Sequence, residues 1–276
     1  MEMTPVAHIE TDLPQKFGIP RNSFLAPHLQ GRIVFESEFA LPRAVAGLEE
    51  FSHLWLLWEF ENGVPGGAAA DVARDAAAPM RSSDVAPRAA LAEGAPAPAP
   101  GELYDVESNI APAPPYPDRR WTPTVRPPRL GGSERRGVFA TRSPFRPNPI
   151  GLTCVKLDHI EIVDGAPVIH VLAADLRDGT PIFDIKPYIP FADCHPEATG
   201  GWIDRAPWQE LEVDFPAELR SLVPVPKLAG LIEVLRQDPR RAGSKHEPER
   251  VYHLAYAGLN VAFTVDGESL RVVGVA

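Results

Sequence analysis

Between Gly63 and Asp118 the chain holds sixteen alanines and ten prolines and almost no aromatic residues. No other feature limits the fold as strongly. Such a stretch cannot bury enough apolar surface to offset the entropy of ordering it. Proline also removes backbone donors and restricts the residue before it. Residues 63–118 therefore read as a loosely attached insertion, with one helical turn around Ala68–Ala78. Any core has to be assembled from the two flanks.

Both flanks are rich in strand-like sequence. Gly31–Phe35 reads as a strand, Ala44–Glu50 as a short helical turn, and Leu54–Phe60 as a strand buried on both faces. Past Trp121, the segments Val138–Thr141, Leu152–Leu157, Ile160–Val163 and Val168–Leu172 have strand composition. Asp164-Gly165 is a hairpin turn dipeptide. Strands recurring about every ten residues suit an antiparallel barrel or sandwich. The tail differs: Val225–Gln237 has helical apolar spacing, and strands follow at Arg250–Tyr256, Asn260–Val265 and Ser269–Val275. The expectation is a mainly β domain over 1–215, carrying the insertion, and a small α+β domain over 222–276. Trp202, Trp208 and Phe215 are expected to pack the link between them.

Several function classes drop out. No apolar run approaches the roughly 20 residues that span a bilayer, and Met1–Pro5 opens no secretory signal. Two cysteines, Cys154 and Cys194, are too few for a disulfide framework. A cytoplasmic location is the expectation. There is no glycine-rich turn of the Rossmann type, no P-loop and no G-x-S-x-G elbow. Asp193-Cys194-His195 lacks the three or four convergent ligands that zinc needs, so no metal is expected. His53, set among Phe51, Leu54 and Trp55, reads as a core or cap histidine.

Charge is distributed unevenly. The net value is −10, which suits nucleic acid poorly. Residues 63–118 carry eight acidic residues against three arginines, a balance of −5, whereas 119–151 carry eight arginines against Glu134 alone, a balance of +7. A local basic field binds phosphate whatever the total charge, and here aromatic and Asn residues are interleaved with the arginines.

Two segments are too polar and irregular to be core filler. Gly137–Gly151 holds Arg142, Arg146 and Asn148 in a loop stiffened by Pro144, Pro147 and Pro149; fixed guanidinium forks suit carboxylates and phosphates. Asp175–Tyr188 crowds Asp175, Asp178, Asp184, Lys186 and Tyr188 around a turn at Asp178-Gly179-Thr180-Pro181. With these motifs the chain resembles the TrmO family of tRNA methyltransferases. The likeness extends to Gly47–Trp55, to Trp121–Gly132 and, in the tail, to Gln237-Asp238-Pro239-Arg240. It covers nearly everything outside 63–118. Departures occur at Val6–Asp12, where the family usually opens Ile-Gly-x-Ile-x-Ser-Pro, and at Glu61-Asn62, where a His-Gln type pair is usual.

The resemblance implies a single-sheeted antiparallel β-barrel, a homodimer, and methyl transfer from S-adenosylmethionine to N6 of threonylcarbamoyl-adenosine in the tRNA anticodon loop. It places the cofactor against Pro20, Arg21, Asn22, Glu61, Asn62, Arg142, Leu152 and the turn of Asp175, Leu176, Arg177, Asp178, Gly179 and Thr180. A zwitterionic methionine tail wants Arg and backbone groups, while ribose hydroxyls and an adenine amine want acceptors. Asp178 and Asp184 are the candidate bases. Arg146, Asn148, Lys186 and Tyr188 are the candidate substrate contacts. The rival reading is a non-catalytic barrel that binds S-adenosylmethionine or RNA as a sensor or adaptor.

Overall fold

A computed structural model describes residues 3–60, 121–128, 134–206, 209–240, 244 and 246–276. The Ala/Pro-rich segment, Glu61, Asn62 and Trp208 lie outside the described residues. Six strands close a barrel: β1 (Ala7–Thr11), β2 (Gln30–Phe35), β3 (His53–Glu59), β6 (Ile150–Val163), β7 (Ala166–Leu172) and β8 (Thr180–Pro187). Around the wall the order is β1-β2-β7-β6-β3-β8, and every neighbouring pair is antiparallel. Closure leaves no unpaired edge on the barrel. Alternate residues fill its interior: Ala7 and Ile9, Ile33, Leu54 and Leu56, Val155 and Leu157, Ile169 and Val171, and Ile182.

The strand expectations hold with three corrections. Leu152–Leu157 and Ile160–Val163 are one strand, β6, whose register against β7 slips between Leu157 and His159. A bulge of this kind bends a strand without ending it. Val138–Thr141 is not a strand. Val138–Ala140 is a single 3-10 turn, because the Thr141 N–H and hydroxyl both fold back onto the Val138 carbonyl. β3 is not buried on both faces either: Leu54 and Leu56 are fully enclosed, whereas Trp55 and Leu57 are half-buried. Asp164-Gly165 does close the β6–β7 hairpin, with φ of 51° and 84°, the left-handed pair that a tight hairpin requires. Two short strands, β4 (Thr124–Val125) and β5 (Arg136–Gly137), pair with each other beside the barrel.

The C-terminal unit is a four-stranded sheet in the order β10 (Tyr252–Tyr256), β11 (Leu259–Asp266), β12 (Ser269–Val275), β9 (Glu212–Asp214), with β9 parallel to β12. β9 lies on the barrel side of the boundary expected from sequence, yet pairs within this sheet. One helix, α1 (Val225–Arg236), buries Leu231, Val234 and Leu235 against it. Pro226 occupies the first turn of the helix, where a missing N–H costs nothing. At the other end Asp238 turns left-handed with φ of 49°, and Pro239 prevents continuation.

The two units share a core. Leu13, Ala26 and Leu29, from the loops around β1 and β2, are buried in the same cluster as Leu254, Tyr256 and Phe263. Gly18, at φ of 94°, lies so close to Leu254 that a β-carbon would meet its side chain at 2.2 Å. Lys227 of α1 reaches Asp12 at 2.8 Å, and the Ala257 N–H donates to the Asp12 carbonyl.

Candidate active site

The arginine loop is held as its prolines suggest. The Arg146 guanidinium donates to the carbonyls of Val138 at 3.1 Å and Thr141 at 2.6 Å, and sits over the Phe139 ring at 5.5 Å. Arg146 therefore braces the loop. Arg142 leaves that loop and donates to Asn22 Oδ1 at 3.4 Å. Trp202 fixes the same loop from the other side by donating to the Ala140 carbonyl at 2.9 Å. Of the other two expected link residues, Phe215 is buried in the C-terminal core.

Next to Arg142 lies Asp175, just beyond the end of β7. Burial pushes its carboxyl up to about 7, while the Thr153 hydroxyl, its own backbone N–H and Arg142 pull the other way. Its Oδ1 is buried without a hydrogen-bond partner. An oxygen left so costs about 1–3 kcal/mol, a cost that a donor or cation from a ligand would remove. Thr153 points into the barrel end and accepts from the Trp58 indole N–H at 3.1 Å. Gly151 is required beneath that indole, since a β-carbon there would meet it at 2.2 Å. Trp58 and Thr153 were not singled out from sequence. Counting by twos along β3 from Leu54 would have put Trp58 on the interior face.

The turn 175–180 is pinned to β1. The Asp178 N–H donates to the Leu13 carbonyl and the Gly179 N–H to the Ile9 carbonyl, while Asp178 Oδ1 accepts from the Thr11 N–H at 2.9 Å. Leu176 is buried in the barrel core. Thr180 is buried with its hydroxyl on the Arg177 carbonyl. Pro20 and Arg21 line a cavity of about 440 Å³ beside the C-terminal unit.

A second group of expected residues shares the outer face of β6, β3 and β8. Register sets Leu152 opposite Leu57 and Leu57 opposite Asp184, with Trp55 between Cys154 and Lys186. Lys186 pairs with Asp184 at 2.6 Å. Tyr188 packs on Trp55 and His53, and His53 on Phe24, with ring centroids 5.9, 6.0 and 5.7 Å apart. His53 is thus an aromatic spacer, also bonded to the Ser52 hydroxyl. Leu152 and Phe24 are each about half exposed on this face. Burial, then Asp193, pushes the Cys154 thiol up to about 11, so it stays protonated and is no nucleophile near neutral pH. Asn148 accepts the Ile150 N–H at its carbonyl and so sets the start of β6.

His159, Glu161 and His170 bring ligand-type atoms within 4.8 Å of one another. They lie about 20 Å along β6 from Thr153 and take no part in this site. No helix among the described residues is long and apolar enough to cross a membrane.

Two family models match the chain: the tRNA-methyltransferase O N-terminal domain over residues 8–86 and 113–194, and the TrmO C-terminal domain over 209–276. The unmatched 87–112 falls inside the Ala/Pro-rich segment. The tRNA (adenine(37)-N6)-methyltransferase of Escherichia coli (strain K12) is 34% identical over 271 residues, covering 96% of this chain and 93% of that protein. The protein of the same name from Eikenella corrodens is 46% identical over 147 residues, 53% of this chain and 82% of its own. A crystal structure of TrmO from Pseudomonas aeruginosa superposes with a TM-score of 0.64 at 27% identity, covering 100% of this chain and 98% of that one.

Proposed function

The chain belongs to the TrmO family of tRNA methyltransferases, and from that premise we propose that it methylates N6 of threonylcarbamoyl-adenosine beside the tRNA anticodon. S-adenosylmethionine is the proposed methyl donor, the cytoplasm the compartment and a homodimer the working form. Exposed Phe24, Phe51 and Phe191 offer apolar surface for the second subunit. The single observation that carries the reading is the meeting of Asn22, Arg142 and Asp175. Three segments far apart in sequence bring a guanidinium, an amide and a buried carboxylate with an unpartnered oxygen together at the barrel end.

The donor set fits the cofactor. Arg142 and Asn22 suit a carboxylate, and Asp175 suits a cationic or hydroxyl group. Pro20, Arg21, Leu152 and the backbone of 175–180 supply the surrounding contacts. When bound, S-adenosylmethionine presents an electrophilic methyl on a sulfonium. The chain's main contribution is to hold N6 on the line of attack.

In threonylcarbamoyl-adenosine, N6 belongs to a urea whose lone pair is delocalised. Its proton has to leave as the nitrogen–carbon bond forms and the sulfur–carbon bond breaks, so a base assists. Asp178 and Asp184 are the candidates, and their surroundings differ. Asp178 is tied to the Thr11 N–H, whereas Asp184 is held by Lys186. A substrate carboxylate that takes Lys186 would free Asp184 to accept the proton. Arg146, Asn148 and Tyr188 complete the substrate side.

The experiment is turnover. Purified protein with S-adenosylmethionine should form S-adenosylhomocysteine when tRNA is added and not before. Binding of both without turnover would leave the sensor reading in its place.

A further inference from the structure

We propose that the cleft between Lys16–Arg21 and Gln237–Arg240 is an RNA-binding site that takes backbone phosphates of the tRNA next to the adenosine being methylated. The identity of the partner rests on the methyltransferase reading. The site rests on the geometry of a cavity of about 440 Å³ that neither folding unit fills.

Charge is the first argument. Among the described residues, Lys16, Arg21 and Arg240 line the cleft against Asp238 as the one acidic residue, in a chain whose net charge is −10. A polyanion repelled by most of this surface binds where cations are gathered. Both Asp238 oxygens face the Arg240 guanidinium, at 2.8 and 2.9 Å, so this pair is neutral overall and the excess positive charge of the lining is carried by Lys16 and Arg21.

The wall is also preformed. Arg240 is fixed by this two-pronged contact and lies over the Tyr252 ring at 5.9 Å. Buried Gln237 donates to Glu210 at 2.8 Å. The left-handed turn at Asp238 ends α1, and Arg240 lines the cleft together with Lys16 and Arg21. The motif Gln237-Asp238-Pro239-Arg240 thereby acquires a role that helix termination alone would not need. Little freedom of the Arg240 side chain is left to lose on binding.

Continuity is the third argument. Arg21 precedes Asn22, which accepts from Arg142, so one end of the cleft adjoins the candidate active site. Pro128, which also lines the cleft, belongs to the arginine-rich segment 119–151. A strand held at its reacting base could therefore lay the neighbouring phosphates along a continuous cationic path.

The test uses the full chain, an unmodified RNA hairpin with an anticodon stem-loop sequence, and S-adenosylmethionine as separate probes. Lys16→Gln and Arg240→Gln should each weaken hairpin binding several-fold. Each should lower the salt dependence of log K by about one phosphate contact, roughly 0.7–0.9 in slope. Cofactor affinity should stay unchanged in both. Thermal melts check the fold; should Arg240→Gln melt early, Lys16→Gln, an exposed side chain, carries the test alone. Unchanged hairpin affinity and slope would overturn the proposal, and so would loss of cofactor binding with RNA binding intact. Hairpin binding is read without turnover. A wild-type protein that binds the hairpin but methylates no threonylcarbamoylated tRNA would contradict the proposed reaction and leave the cleft standing, whereas no hairpin binding at all would contradict the cleft.

Discussion

Asp175 shows what a single residue can hide in a sequence. Its place in a carboxylate-rich turn was legible, but its neighbours were not. Thr153 is 22 positions earlier and Arg142 is 33 positions earlier, so only closure of the barrel reveals that the carboxyl is buried between them. The consequence is measurable. A carboxyl whose folded pKa is raised to about 7 favours the folded state when protonated. Its ionisation costs stability progressively as pH rises from the unfolded value near 4 to about 7. Asp175→Asn removes that cost. Without ligand, the variant should melt a few degrees above the parent at pH 8, with the gain shrinking as pH falls toward 4. Thermal melts across that range check it; a variant less stable at pH 8 would show that the ionised carboxylate is held by partners beyond Arg142.

At the scale of elements, strand periodicity and turn dipeptides carried most of the barrel. Strand-like composition marked β2, β6 and β7, and Asp164-Gly165 marked the β6–β7 hairpin. What failed did so for local reasons. Val138–Thr141 has strand composition, yet the Thr141 hydroxyl closes a turn on Val138, a competition that propensity does not register. The Trp58 position depends on Gly151, directly opposite across β3 and β6. Gly151→Ala should cost about 1–3 kcal/mol, because the indole has to move from a packed interior and give up Thr153. Urea unfolding and the position of tryptophan emission report both effects; an unshifted midpoint would mean that β6 moves away without strain.

For the whole molecule, the sequence leads to an expectation of two units and an insertion, and it does not announce the shared core of barrel loops and C-terminal sheet. Nothing in the spacing of Leu13, Ala26 and Leu29 announces that α1 and the C-terminal sheet will cover them. The outer face of β6, β3 and β8 was equally hidden, although Leu152, Asp184, Lys186 and Tyr188 had each been singled out from their motifs. The insertion was the plainest feature and leads to a simple expectation. Replacing 63–118 by a short Gly/Ser linker should leave Tm and methyl transfer nearly unchanged, since loop length costs little once a loop is already long. Loss of either in calorimetry or turnover would mean that the segment supports the barrel or the RNA.

The central claim concerns the substrate at this scale too. With Arg146 bracing its loop, Arg142 and Lys186 together still exceed what one methionine carboxylate needs, and a carboxylate on the modified base would both bind and orient N6. A tRNA transcript without modifications keeps every phosphate and lacks only such groups. Nucleoside mass spectrometry after incubation with S-adenosylmethionine should find little or no methylation of that transcript, and N6 methylation once it has been enzymatically threonylcarbamoylated. Equal methylation of the two RNAs would contradict the account and leave the cations as plain phosphate contacts.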